Sequence, residues 1–176
     1  MADDGVIDGI LEELRQALLP VGETELEALA DAVATAAEVF VTGQGRSGLM
    51  GAAFATRLAQ LGKRVHVVGS PTTTAAGRGA VLIACSGSGR TRSTVAHAQH
   101  ARALGAQVWA VTGDSSSPLA AAADRVIAIP AAPSIQPGRS VFEQALLMLF
   151  DTVVLRLMVK LGQTAERMDA RHANLE

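Results

Sequence analysis

Short apolar runs alternate with amphipathic stretches over most of this chain. Residues 39–42, 65–68, 80–85, 108–111 and 126–129 are such runs, rich in Val, Ile and Ala. Runs of this length, bounded by Gly, Pro and Ser, read as strands, and strands without a polar face belong to a parallel sheet covered on both sides. Between them, residues 47–61, 91–104 and 119–123 read as helices. Gly62 and Gly105 stop the first two, and Ser117-Pro118 supplies an N-cap and a first helical residue for the third. Residues 70–79 form a Thr/Gly-rich loop. Ahead of the first strand, residues 6–19 place Ile7, Ile10, Leu11, Leu14 and Leu18 on one stripe, and residues 23–37 do the same with Leu26, Leu29, Ala30 and Val33. After the last strand, Pro130, Pro133 and Pro137 punctuate a loop before a long helix over 141–161, a final helical turn and a short tail.

This order predicts an α/β three-layer sandwich around a five-stranded parallel sheet. One domain is expected over residues 1–176: covering helices in 1–37, the sheet and its helices in 38–161, and a closing helix and tail in 162–176. The covering helices carry no sign of chemistry. Their apolar surface, with that of the 141–161 helix, exceeds what one thin sheet needs, which predicts a homo-oligomer.

Composition removes several classes of function. Net charge is −2, aromatics make up 3% and there is no Tyr, so neither a phosphate backbone nor stacked bases find a general partner surface. The most apolar stretch, 141–161, carries Glu143, Asp151, Arg156 and Lys160, which fits a buried helix and not a membrane span. A single cysteine, Cys85, and an acidic N-terminus without a signal-peptide pattern lead us to expect a cytoplasmic protein. Charge is uneven, however. Residues 1–38 hold ten of the seventeen carboxylates, whereas residues 39–113 hold none and carry eight cations: Arg46, Arg57, Lys63, Arg64, Arg78, Arg90, Arg92 and Arg102. A central region of that kind favours an anionic ligand, unless the acidic N-terminal segment or another subunit neutralises it.

The chemistry concentrates at Ser86-Gly87-Ser88-Gly89-Arg90-Thr91. This stretch lies between an apolar strand and a helix, where a parallel sheet opens its ligand crevice. Two glycines permit close backbone approach, and three hydroxyls join the free amides of a helix N-terminus to make an anion cradle, best suited to phosphate. The alternative is a flexible turn with a Ser/Thr cap. A second turn, Gly43-x-Gly45-x-x-Gly48, matches the dinucleotide fingerprint, but no acid stands near the offset where a ribose hydroxyl needs one. An NADP variant with Arg64 at the 2′-phosphate stays open. Two polar turns at neighbouring strand ends fit a smaller phosphorylated ligand better. The lack of a Walker A pattern argues against nucleotide hydrolysis. His97 and His100 are three apart on a helix, with no acid or Cys beside them to complete a metal site, and read as a solvated face.

Gly45-Arg46-Ser47-Gly48 after one strand and the 86–91 motif after a later one resemble the sugar isomerase (SIS) family, over most of the chain from residue 38. The resemblance implies a flavodoxin-like parallel sheet that binds phosphosugars, with Ser86, Gly87, Ser88, Gly89, Arg90 and Thr91 around the phosphate and Gly45, Arg46 and Ser47 on the substrate, the latter two at its hydroxyls or its phosphate. The tail Arg171-His172-Ala173-Asn174-Leu175 and the Phe142-Glu143 helix start are similar to members that convert 3-hexulose 6-phosphate to fructose 6-phosphate, as in formaldehyde fixation. Such a reaction moves a carbonyl to the next carbon through an enediol(ate) and needs a base and a proton carrier, with no redox cofactor or metal. Glu143, the sole carboxylate between Asp124 and Asp151, stands where the family places its base. The competing reading is a capping box, Ser140-x-x-Glu143. His172 is the proton shuttle by resemblance alone, in its own or a neighbouring subunit's site, and the family implies a tetramer. Arg139 lies near the expected anion without a motif to support it. Other classes consistent with the residues are a non-catalytic phosphosugar sensor, an isomerase of a heptose or pentose phosphate, and, more distantly, a dinucleotide-dependent oxidoreductase.

Overall fold

The computed structural model describes residues 5–130 and 132–174. The acidic start, Ala131 and Leu175 of the tail motif lie outside them. The element order is α1 (Val6–Leu18), α2 (Glu23–Thr35), β1 (Glu38–Gly43), α3 (Gly45–Gln60), β2 (Val65–Val67), β3 (Ala80–Ser86), α4 (Arg92–Ala103), β4 (Gln107–Thr112), α5 (Pro118–Ala122), β5 (Arg125–Ala128), α6 (Ser140–Lys160) and α7 (Ala165–Asp169). The five strands form one all-parallel sheet in the order β2-β1-β3-β4-β5, the flavodoxin-like order expected. Most boundaries agree with the pattern to within two residues. One shift matters: α3 begins at Gly45, two residues before the expected start at Ser47, so Arg46 joins its first turn instead of a loop.

Alternate side chains of each strand feed two different cores. Val39, Val41, Val81, Ile83, Cys85, Trp109, Val111, Ile127 and Ile129 face the layer made by α3 and α6, with α1 and α2 packed on α6. The opposite face carries Phe40, Ala80, Leu82, Ala84, Val108 and Ala110 under α4 and α5. Its small residues, met by Ala98 and Ala101, let α4 lie close to the sheet. Cys85 is fully buried, and burial pushes its thiol up to about 12, so it is an inert core residue.

α6 explains the paradox of a charged apolar helix. Phe142, Leu146, Leu149, Phe150, Val153 and Leu157 are buried. Its cations meet the acidic residues of α2: Arg156 pairs with Glu23 and, at 2.8 Å, with Glu27, and Lys160 pairs with Glu27 and with Asp31 at 2.6 Å. Glu23, Glu27 and Asp31 therefore spend their charge on α6 and not on the central arginines. α2 is fastened from below as well, where Lys63 Nζ donates to the carbonyls of Ala34 and Ala36 at 2.9 and 2.8 Å. Val68 to Gly79, expected as a loop, joins β2 to β3 without a helix.

Phe150 stacks on Phe54 with centroids 4.2 Å apart, and both rings are fully buried. Phe150→Ala is expected to destabilise the fold by about 3–5 kcal/mol, read from urea denaturation, because a rigid sheet-and-helix layer cannot collapse into the void.

Candidate active site

β1 and β3 pair in register from Glu38↔Ala80 to Gly43↔Cys85, so the turns that follow them open side by side. Their helices then leave on opposite faces of the sheet, which makes this the switch point of the topology. The first turn owes Gly43 and Gly48 to packing and Gly45 to its φ of +56°. A Cβ at Gly48 would lie 2.7 Å from the Gly43 carbonyl oxygen, and one at Gly43 would lie 3.0 Å from the Gly48 backbone. The strand-to-helix crossing alone thus accounts for the dinucleotide-like spacing. Arg64 is held by Glu38 at 2.7 Å, at the opposite end of β1, away from any pyrophosphate on that turn. The NADP variant has no support.

The second turn is lined with hydroxyls. Ser86 Oγ lies 3.0 Å from Thr91 Oγ1 and 3.5 Å from Ser88 Oγ, so three hydroxyls converge. Thr91 occupies the N-cap position of α4, yet its side chain makes no cap bond, which leaves the helix's first amides free of one. The turn's carbonyls are spent elsewhere: Gly87 O accepts from Gly113 N at 3.2 Å, and Gly89 O accepts from Leu119 N at 3.0 Å. Both glycines are obligatory. Gly89 has φ +62° and a Cβ there would meet Ser117 Oγ at 2.0 Å, while a Cβ at Gly87 would meet Phe142 at 2.9 Å. The simple-turn alternative does not explain hydroxyls that turn toward one another and away from the helix amides.

Arg90 departs from expectation. Its backbone amide donates to Ser88 Oγ at 3.2 Å, but its guanidinium turns outward to Asp114 at 3.3 Å. Ser116, above all, and Arg90 hold the Asp114 carboxyl below its ordinary range. Arg90 thus serves the turn through its backbone.

α6 brings Glu143 to the same place. Phe142 packs on Gly87, and Glu143 Oε2 accepts from Arg46 Nε across the space between α6 and α3. The carboxylate is largely buried, with 13% of the side chain exposed against 60% for Arg46. The capping box does not form: the N-cap is Arg139, and Ser140 Oγ donates to Pro137 O at 2.9 Å. Glu143 is therefore free of the helix end and faces the first turn of α3. Ser47 sits beside Arg46, nearly buried. Arg139 reaches the phosphate turn, where its Nη1 donates to Gly87 O at 3.3 Å.

His172 does not join this group within one chain. Arg171 fastens the tail to the far end of α3, donating to Gln60 O at 3.0 Å. Arg46 stands at the other end of that 16-residue helix, about 24 Å away at 1.5 Å per residue. His97 is not solvated as expected: its Nδ1 bonds Thr42 Oγ1 at 2.8 Å, at the end of β1. Nothing in the sequence pattern marked that bond. Concavities lie elsewhere too: a groove of about 580 Å³ between α4 and α5, one of about 480 Å³ beside Glu23 and Arg156, and one of about 360 Å³ under the β2–β3 loop.

The chain belongs to the SIS-domain family, whose profile matches residues 33–159. It is 39% identical over 176 residues to a Bacillus subtilis 3-hexulose-6-phosphate isomerase, covering 95% of each chain. It is 37% identical to a Mycobacterium gastri 3-hexulose-6-phosphate isomerase, covering 95% of this chain and 88% of that one. Among solved structures, it resembles a Methanococcus jannaschii protein whose structure infers a molecular function of 3-hexulose-6-phosphate isomerase. That likeness has a TM-score of 0.89 at 29% identity and covers 97% of this chain and 98% of the other.

Gly89→Ala is expected to weaken the affinity for inorganic phosphate by at least about tenfold in calorimetry, since loss of the turn removes charge-assisted hydrogen bonds. Gly77→Ala, where a Cβ meets nothing within 4 Å, is expected to leave it unchanged.

Proposed function

We propose that this chain is a phosphosugar isomerase that interconverts 3-hexulose 6-phosphate and fructose 6-phosphate. The observation that carries the reading is the Arg46–Glu143 pair set beside the hydroxyl-lined 86–91 turn. A phosphate held on the turn by Ser86, Ser88, Thr91 and the α4 amides leaves the sugar carbons extending over the switch point, toward Gly45, Arg46, Ser47 and Glu143. Glu143 removes the proton from C2 of the 3-ketose. The electrons form the C2–C3 double bond, and the C3 oxygen takes a proton. Return of the proton to C3 and loss of the C2 hydroxyl proton give the 2-ketone. Arg46 stabilises the negative charge that develops on the oxygens. A sensor needs the turn but not a largely buried carboxylate opposite it. The relatives named for this reaction support the choice of sugar over a heptose or pentose phosphate.

The working unit in this reading is a homo-oligomer, by family resemblance a tetramer, in which His172 of one copy serves as proton carrier at the site of another. The distance along α3 and the exposed apolar residues Ile7 and Leu11 on α1 and Met148, Leu155 and Val159 on α6 support it. The whole chain acts as one SIS unit with α1 and α2 as its cover. Among the described residues, no helix is long and apolar enough to cross a membrane. A cytoplasmic place in formaldehyde fixation fits the free, buried Cys85 and the proposed reaction.

A coupled assay tests this directly: protein given enzymatically generated 3-hexulose 6-phosphate, with fructose 6-phosphate followed over time and no metal or nucleotide added. Turnover is expected, with Glu143→Gln still binding fructose 6-phosphate but slowed about 10²–10⁴-fold, the range for loss of a general base. Binding of sugar phosphates without turnover would make the chain a sensor or move it to another sugar. Ser88→Ala is expected to raise KM with kcat nearly unchanged. Co-refolded Glu143→Gln and His172→Ala chains are expected to regain activity that neither has alone. Continued inactivity of the mixture would remove the shared site.

A further inference from the structure

The N-terminal helix carries one carboxylate that is spent far from its own element. Glu13 Oε1 accepts from the Ile135 amide at 2.7 Å, and Oε2 accepts from Ser134 Oγ at 2.9 Å and from Gln136 Nε2 at 3.0 Å. Three consecutive residues of the β5–α6 loop thus hang on one side chain of α1. Gly9, one turn earlier, fits the same docking. Glycine in a helix interior costs about 1 kcal/mol against alanine, yet here a Cβ would press 3.1 Å from Ile135 Cδ1. Gln136 N donates to Ser134 Oγ at 2.9 Å, and Ser140 closes the following turn on Pro137 O. Between that anchored stretch and the pinned start of α6 stands Arg139, with one N–H on Gly87 O.

We infer that Glu13 is a positioning residue for the phosphate site: through the β5–α6 loop it sets the Arg139 guanidinium against the 86–91 turn, where Arg139 contacts the phosphate. The inference rests on the phosphosugar reading of the site. A guanidinium has five N–H donors, and Gly87 uses one of Arg139's. The others are available to an anion on the turn. Arg139 is exposed and joined to the turn by a single long bond, so an unanchored loop would let it swing away. Glu143 would stay, because Phe142, Ala145 and Leu146 fix the first turns of α6 in the core. The division of labour is therefore specific: the clamp governs how tightly the phosphate is held, and α6 governs the chemistry. The Glu13 carboxyl, held below its ordinary range by Gln136 and the Ile135 amide, is ionised as this role requires.

The test measures fructose 6-phosphate affinity, kcat and Ile135 amide exchange in wild type, Glu13→Ala, Glu13→Gln, Arg139→Ala and the Glu13→Ala/Arg139→Ala double variant. Glu13→Ala is expected to speed Ile135 exchange and to weaken affinity about tenfold, the size of one charge-assisted hydrogen bond, with kcat changed less than about twofold. The double variant should bind no worse than Arg139→Ala alone, since residues acting in series are not additive. Glu13→Gln, which keeps one acceptor oxygen, should fall between wild type and Glu13→Ala. Unchanged affinity in Glu13→Ala despite faster exchange would make the clamp purely structural and overturn the inference, as would additive losses in the double variant. Wild type that binds no sugar phosphate would overturn the functional reading itself, a result distinct from either.

Discussion

A loop that holds phosphate must turn its carbonyl oxygens away from the anion and its amides and hydroxyls toward it. Here that orientation is imposed by the neighbours. Gly113 N takes the Gly87 carbonyl, and Leu119 N takes that of Gly89. Phe142 presses on Gly87 from α6, and Ser117 fills the space beside Gly89 that a side chain would need. The turn is thus pinned by β4, α5 and α6 at once, and the same packing that fixes it delivers Glu143 to its edge. Binding and chemistry share one mechanical support. That is why the two halves of the site, 97 residues apart at Arg46 and Glu143, meet without any local motif joining them.

Charge follows the same logic. The acid-free centre of the sequence is only partly neutralised by the N-terminal acids. Glu23, Glu27 and Asp31 are tied to Arg156 and Lys160 on the back of α6, whereas Glu38 holds one central cation, Arg64, at the base of β1, away from the glycine turns. Arg46 pairs with the carboxylate that the proposed reaction uses. A guanidinium in that place stands ready for the oxyanion of an enediolate.

Much of this was legible in the sequence. The strands announced themselves because a parallel sheet buried on both faces needs apolar runs, and the sheet order followed from the resemblance to the SIS family. Ser86, Ser88 and Thr91 were readable because spacing puts them on one turn. What escaped was tertiary. The capping box at Ser140 does not form, and Glu143 meets Arg46, which no local pattern brings near. The Arg90 guanidinium meets Asp114, a partner that the motif did not indicate. His97 read as solvated, but the small residues of that sheet face bring α4 near enough for it to reach Thr42. Glu13 gave no signal at all, since its partners lie more than a hundred residues away and two of its three bonds go to ordinary polar side chains. The tail histidine was read from resemblance, and its remoteness from Glu143 appears only once Arg171 is seen on Gln60.

The central claim is that Glu143 moves a proton between adjacent carbons of a phosphosugar held on the 86–91 turn. Proton exchange at C3 of fructose 6-phosphate in heavy water, followed by NMR, tests it most directly. The account predicts that the C3 proton is replaced by deuterium with the wild-type protein and that Glu143→Gln, which still binds the sugar, leaves it intact. Exchange that persists in Glu143→Gln, or its absence in a wild-type protein that binds fructose 6-phosphate, would contradict the account.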